Sequence, residues 1–146
     1  AALMAINDYF EENNTSLPVM LSGTITDNSG RTLSGQTVNA FLISLSHFPL
    51  LSIGFNCALG ADKLRPYLKR LSNSTNFFTS VYPNAGLPNA FGEYDQTPNG
   101  MLSQLREYFD ENLVNIIGGC CGTTYDHIKL ISEEVKKYKP RPISNE

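Results

Sequence analysis

Tryptophan is absent from this chain of 146 residues, histidine occurs twice and cysteine three times. Three thiols cannot all pair, and two of them, Cys120 and Cys121, are adjacent. Neighbouring Cα atoms stand about 3.8 Å apart across a trans peptide, below the usual disulfide range, so oxidative stapling is the weaker reading of these cysteines. Charge of one sign is also lacking: 11 Lys and Arg stand against 14 Asp and Glu, a formal net charge of −3. That balance argues against nucleic acid or an anionic membrane as a partner. The basic runs "KLRPYLKR" and "EEVKKYKPRP" mix with acids and read as solvated helix faces. No apolar run approaches the roughly 18 residues of a membrane span. The opening "AALMAINDYFEEN" has no basic leader or cleavage pattern. A reducing, cytoplasmic setting is the expectation, and there clustered cysteines point to metal or catalysis rather than to disulfides. The first residue is not Met and the opening resembles the later turns of a helix, which suggests a piece of a longer chain.

What is present fits one globular domain, with 41% hydrophobic and 17% charged residues. Leu3, Ile6 and Phe10 fall at helical spacing, and the polar cluster at residues 13–16 stops that helix. "PVMLSGTI" reads as a buried strand. "QTVNAFLISLSHF" is an amphipathic helix with Ser34 or Thr37 as cap. "LLSIGFNC" is a second strand, and "GADKLRPYLKRLSN" a helix in which Pro66 fits only in the first turn. "NFFTSVYPN" is the third strand, and "AGLPNAFGEYDQTPNG" a long Gly/Pro-rich excursion of the kind that tends to be functional. The helix "MLSQLREYFDEN", the strand "LVNIIGG" and the helix "TTYDHIKLISEEVKKY", with Ile128, Ile131 and Val135 inward, complete the order. One helix is followed by four βα units whose strands are apolar throughout, which predicts an α/β fold with a parallel sheet buried on both faces. Residues 140–146 read as a tail or interdomain linker after a domain of residues 1–139.

Reactive residues gather after the strands: Thr24 to Asp27, Asn56 and Cys57, Pro83 to Gly86, and Gly118 to Cys121. In parallel α/β architectures functional groups collect at the carboxyl ends of strands, so all three cysteines are expected on one active face. Three converging thiolates without a fourth cysteine describe a zinc site with one open position, the catalytic arrangement. A thiol from outside bound there would lose its proton to the metal's charge. Gly118, Gly119 and Gly122 would let backbone approach the site. His127 and His47 read more simply as structural or surface histidines. Asp27, Glu93 and Asp95 read as solvated loop acids, with acid, base or amine-binding roles as the alternative. "GGCCGTT" at a helix start lacks the Lys of a phosphate loop and matches no dinucleotide pattern.

The stretches "SGTITDNSGRTLSGQT", "GFNCALGADKLRPYL", "VYPNAGLPN" and "NIIGGCCGTTYDHI" together resemble the homocysteine-binding domain of the cobalamin-dependent methionine synthases. They span nearly the whole chain in that family's order. Betaine- and S-methylmethionine-homocysteine methyltransferases share the N-C and G-G-C-C-G signatures, while "SGRTLSGQT" and "YPNAGLPNAFGEYDQTP" are more similar to the cobalamin enzyme. The resemblance implies a (β/α)8 barrel of which this chain supplies about the last four βα units. It implies zinc on Cys57, Cys120 and Cys121, homocysteine sulfur in the open position, and a methyl group from methylcobalamin recharged by methyltetrahydrofolate. Cobalamin and folate would be bound by other modules of the longer enzyme. Asn84, the asparagine of "YPNAG", is implied beside the metal, offering oxygen when substrate is absent. Two departures stand out. A whole barrel is typically about 250 residues, so the chain alone is expected to bind zinc without methyl-transfer competence, and to leave an uncovered apolar inner face. The family commonly has proline where Tyr125 stands, at the start of the last helix. Readings from other classes are a zinc-stabilised binding domain closed by His127, and a thiol-redox protein using Cys120 and Cys121.

Overall fold

A computed structural model describes residues 1–143. Four parallel strands lie in the order β1 (Val19–Gly23), β2 (Leu50–Gly60), β3 (Phe78–Asn84) and β4 (Ile116–Ile117). The helices α1 (Ala2–Glu12), α2 (Val38–Leu45), α3 (Ala61–Ser72), α4 (Pro98–Asp110) and α5 (Tyr125–Glu134) alternate with them, and a single 3-10 turn, Val135–Lys137, follows α5. Sequential parallel neighbours joined by helical crossovers are the rhythm of part of a (β/α)8 barrel, as the sequence predicts. Among the described residues no helix is long and apolar enough to cross a membrane.

Helix starts follow local chemistry. Thr37 caps α2 by accepting from Ala40 N, and Thr97 caps α4 by accepting from Gly100 N with Pro98 behind it. In α3 the leucines at 64, 68 and 71 are fully buried, and Ile53, Phe55 and Val81 of the sheet are buried with them in one core. Burial of this kind contributes about 1.5–3 kcal/mol per large side chain. Pro66 lies in the second turn of α3, not the first. It is exposed, so water can reach the carbonyl that its missing N–H leaves unpaired.

Three other expectations change. The fourth strand shrinks to two residues by ladder pairing, yet its backbone tracks β3 further: Asn115 N donates to Thr79 O, Gly118 N to Val81 O and Cys120 N to Pro83 O. Glycine at 118 and 119 loosens the regular ladder while the chain keeps its course. In α5 Ile131 is buried and Val135, just past it, packs half-buried against the core as expected, but Ile128 turns outward while His127 and Glu134 are buried, so polar partners share in setting the helix's phase. The inner face of the sheet, opposite Ile53 and Phe55 by strand alternation, is mixed rather than apolar. One row across it reads Ser22, Gly54, Ser80, Ile116 in register.

Composition past residue 139 suggests a tail, and Arg141 nonetheless docks. Its guanidinium is buried and donates to the carbonyls of Ser72, Thr75 and Phe77, while its own carbonyl accepts from Asn115 Nδ2. Residues 144–146 of that segment lie outside the described residues.

Candidate metal centre

β2 and β3 fall out of step between Asn56 and Gly60, where the ladder resumes opposite Asn84. Cys57 sits in this bulge, and Cys57 and Ala58 both take left-handed backbone, each with φ 56°. Non-glycine residues hold that conformation at a cost of about 1–3 kcal/mol each, and such costs concentrate at functional sites. Here the bulge turns the Cys57 thiol across to the end of β4, where Cys120 and Cys121 arrive.

The three sulfurs all lie within 4.8 Å of one another, a group that could hold a metal ion. Cys57 Sγ is 3.5 Å from Cys121 Sγ, and Cys120 Sγ is 3.9 Å from Cys121 Sγ. Thiolates held tetrahedrally at about 2.3 Å from zinc stand about 3.8 Å apart, so the donor set has the size and chemistry of a zinc site. All three are free and half-buried. Among the described residues no fourth His, Cys, Asp or Glu joins the group.

Asn84, 1% exposed, is the anchor of this arrangement. Its Oδ1 accepts from Cys121 N at 3.0 Å, and Ala85 N in turn donates to Cys121 O. The segment carrying both cysteines is therefore pinned to the end of β3 from two sides. Gly122, at φ 76°, then lets the chain turn under Tyr94; a Cβ there would fall 2.2 Å from Tyr94 Cβ.

The thiols are electrostatically interdependent. Burial works to raise the Cys57 thiol, but hydrogen bonds from Ala58 backbone, Cys121, Cys120 and Asn84 outweigh it and leave Cys57 below its ordinary value. Burial, then the Cys57 and Cys121 sulfurs, push the Cys120 thiol up to about 11. Like charges this close oppose one another's ionisation, and a divalent cation would remove that opposition. Tyr94 belongs to the same cluster: burial, then its hydrogen bond to Cys121 and the charges of the three cysteines, raise its phenol above the ordinary value.

The remaining candidates are placed elsewhere. His127 is 5% exposed with both ring nitrogens engaged. Nδ1 faces Thr124 N at 3.2 Å and Thr124 Oγ1 at 2.9 Å, and Nε2 faces Gln96 O at 2.9 Å. Since Thr124 N can only donate, Nδ1 accepts and Nε2 carries the proton, leaving no lone pair for a metal. His127 starts α5 and ties the long loop to it; the reading in which it closes a structural site is corrected. His47 packs against Phe48. Asp27 accepts from Ser29 N in its own loop, and hydrogen bonding from the Ser29 side chain, then from its backbone N–H, holds its carboxyl below the ordinary value. Asp95 accepts from Asn89 Nδ2, and Glu93 N donates to Asn89 Oδ1, so both acids are exposed parts of the loop scaffold.

Sequence reasoning missed Tyr94. Its only signal is an aromatic residue between two acids in a Gly/Pro-rich stretch, and nothing local tells that it folds back over Gly122. The family model described as "Homocysteine S-methyltransferase" matches residues 1–135.

Proposed function

The chain belongs to the homocysteine S-methyltransferase family, and from that premise we propose that Cys57, Cys120 and Cys121 hold a zinc ion at which homocysteine is methylated to methionine. The observation that carries this reading is the convergence of three sulfurs at the spacing of tetrahedral thiolates, without a fourth protein donor among the described residues. When bound, zinc would supply a Lewis acid that lowers the pKa of an incoming thiol into the neutral range.

The chain's own residues do the positioning. The left-handed bulge presents Cys57, and Asn84 holds Cys121 by its backbone N–H. Because Asn84 Oδ1 already accepts one bond, its role is that of anchor first, with its second lone pair available toward the site when substrate is absent. The homocysteine sulfur then uses an electron pair to form the S–CH3 bond, and the donor keeps the pair of the bond that breaks. No general base is required of these residues, since a thiol bound to the metal would already have given its proton to solvent.

The proposed donor is methylcobalamin, recharged by methyltetrahydrofolate, both carried by other modules; the motifs "SGRTLSGQT" and "YPNAGLPNAFGEYDQTP" support this over betaine or S-methylmethionine. By itself the chain is proposed to bind zinc without completing methyl transfer. Three free thiols within bonding reach of one another suit a reducing, cytoplasmic compartment.

X-ray absorption at the zinc edge tests the reading. The zinc-loaded chain is expected to show three sulfurs and one lighter neighbour, changing to four sulfurs when homocysteine is added. A folded chain that takes up no zinc, or a sulfur count that homocysteine leaves unchanged, would overturn it.

A further inference from the structure

β4 reaches the cysteines without a ladder to hold them. Its last pair with β3 is Ile117 opposite Val81. Past that pair, the turn bearing Cys120 and Cys121 is held from one side by Pro83, Asn84 and Ala85. The other side of the turn runs from Gly122 to Thr124, where α5 begins. Adjacent ligands on a turn free to swing would face a metal in many directions, so a preformed donor set needs support from both sides. The residue placed to give the second support is His127, which the proposed chemistry does not use.

The imidazole performs two jobs. His127 is the third residue of α5, and its Nδ1 accepts from Thr124 N at 3.2 Å and from Thr124 Oγ1 at 2.9 Å. Capping the helix needs only these bonds. Nε2, on the far side of the ring, donates to Gln96 O at 2.9 Å, 31 positions away in sequence. That second bond brings in the loop from Gly86 to Gln96. The loop's ends meet, since Gln96 Cβ lies 3.2 Å from where a Cβ on Gly86 would stand, and Gln96 Nε2 donates to Gln104 Oε1 of α4 at 2.8 Å. Between the ends Asn89 Oδ1 accepts from Phe91 N and Glu93 N, and Asn89 Nδ2 donates to Asp95 Oδ2, which makes the loop one stapled body. Its Tyr94 packs on Gly122, the residue after Cys121, with no room for a side chain between them.

We infer that His127 is a positioning residue for the metal ligands. By holding Gln96 O it seats the loop on Gly122 and closes the cysteine turn from the side that Asn84 does not reach, so that Cys120 and Cys121 face Cys57 before any metal arrives. Its bonds go to Thr124 and Gln96 rather than to a sulfur, so it acts through the loop and Gly122. The part of the inference that concerns metal rests on the zinc reading above; the seating of the turn does not.

Two substitutions separate the ring's jobs. His127→Asn places an acceptor where Nδ1 stands and is too short to reach Gln96; His127→Gln places an amide N–H where Nε2–H stands. In the zinc-free full chain, His127→Asn is expected to speed amide exchange at residues 119–124 about three- to tenfold, as for one lost hydrogen bond. Its zinc affinity, measured by chelator competition, is expected to fall about tenfold. His127→Gln is expected to restore most of both. An asparagine variant that matches wild type, a glutamine variant no better than asparagine, or exchange quickened evenly over the whole chain would each overturn the inference. A measurement on the wild type keeps the question open to decision even where the asparagine variant does not fold: the His127 Nε2–H proton is expected to give a resolved magnetic resonance signal that moves when zinc is added. A signal that bound zinc leaves in place overturns the coupling. A wild-type chain that takes up no zinc overturns the zinc reading, and the exchange comparison then decides the seating of the turn by itself.

Discussion

At the scale of single residues the site depends on positions that carry no reactive group. Gly122 combines φ 76° with a Tyr94 Cβ 2.2 Å from where its own Cβ would stand. Gly122→Ala therefore adds left-handed strain to a clash with a side chain that the loop holds in place. The expected cost is about 2–4 kcal/mol of stability, seen as a lowered urea midpoint, together with weaker zinc binding in a chelator competition. Wild-type values for both would show that the loop moves freely. Asn84→Ala removes the acceptor of Cys121 N–H in a fully buried setting. It should cost about 1–3 kcal/mol and weaken metal binding by about 10–100-fold, the usual range for a partner that orients a ligand. Asn84→Asp, which keeps an acceptor oxygen, should recover part of the loss, and no recovery would argue for a role beyond that one bond.

At the scale of elements, apolar spacing was enough to read the alternation of strands and helices, since each buried stripe shows in the sequence. It failed where polar contacts decide. Ile128 fits an inward apolar stripe, yet α5 is turned by His127 at its start and Glu134 at its end. The bulge at Cys57 was illegible for a related reason: left-handed backbone at two non-glycine residues has no compositional signal, being imposed by the strands around it. The cysteines themselves were legible because thiols are rare here and strand ends are predictable. Glu134 supplies a test of the polar phasing. Its carboxylate meets Arg106 Nε at 2.8 Å and Lys137 Nζ at 2.7 Å, joining α5 to α4. Hydrogen bonds from Arg106, then Lys137, outweigh burial and hold its pKa at about 2 against an ordinary 4.5. A depressed carboxylate stabilises the fold fully above the ordinary value, and that contribution disappears as pH falls through the folded value. Glu134→Gln should lower the melting temperature at pH 7, and the gap to wild type should narrow progressively between pH 4.5 and 2. A gap independent of pH would mean that shape rather than charge places this helix.

At the scale of the whole molecule, the proposed metal joins parts of the chain that the sheet alone holds unevenly. β2 and β3 share a long ladder, whereas β4 contributes two paired residues and a run of single backbone bonds leading to Cys120. Cys57 and Cys121, 64 positions apart, would be clamped by one ion across the end of β3. Such an ion binds the folded chain and has no preformed site in the unfolded one, so its binding free energy is added to folding stability. Free zinc at about a thousand times its dissociation constant should stabilise the chain by about 4 kcal/mol. The clamp also predicts where that stability appears. Amide exchange should slow most between residues 115 and 125, where the backbone is held by single bonds rather than a continuous ladder, and least in α3, whose leucines are buried without help from any metal. Replacing Cys57 by serine should abolish both the zinc-dependent rise in melting temperature and the local protection, while leaving the zinc-free melting temperature near that of the wild type stripped by chelator. Uniform slowing of exchange over the whole chain would instead mean that zinc acts on global unfolding, with β4 already as firmly held as its neighbours.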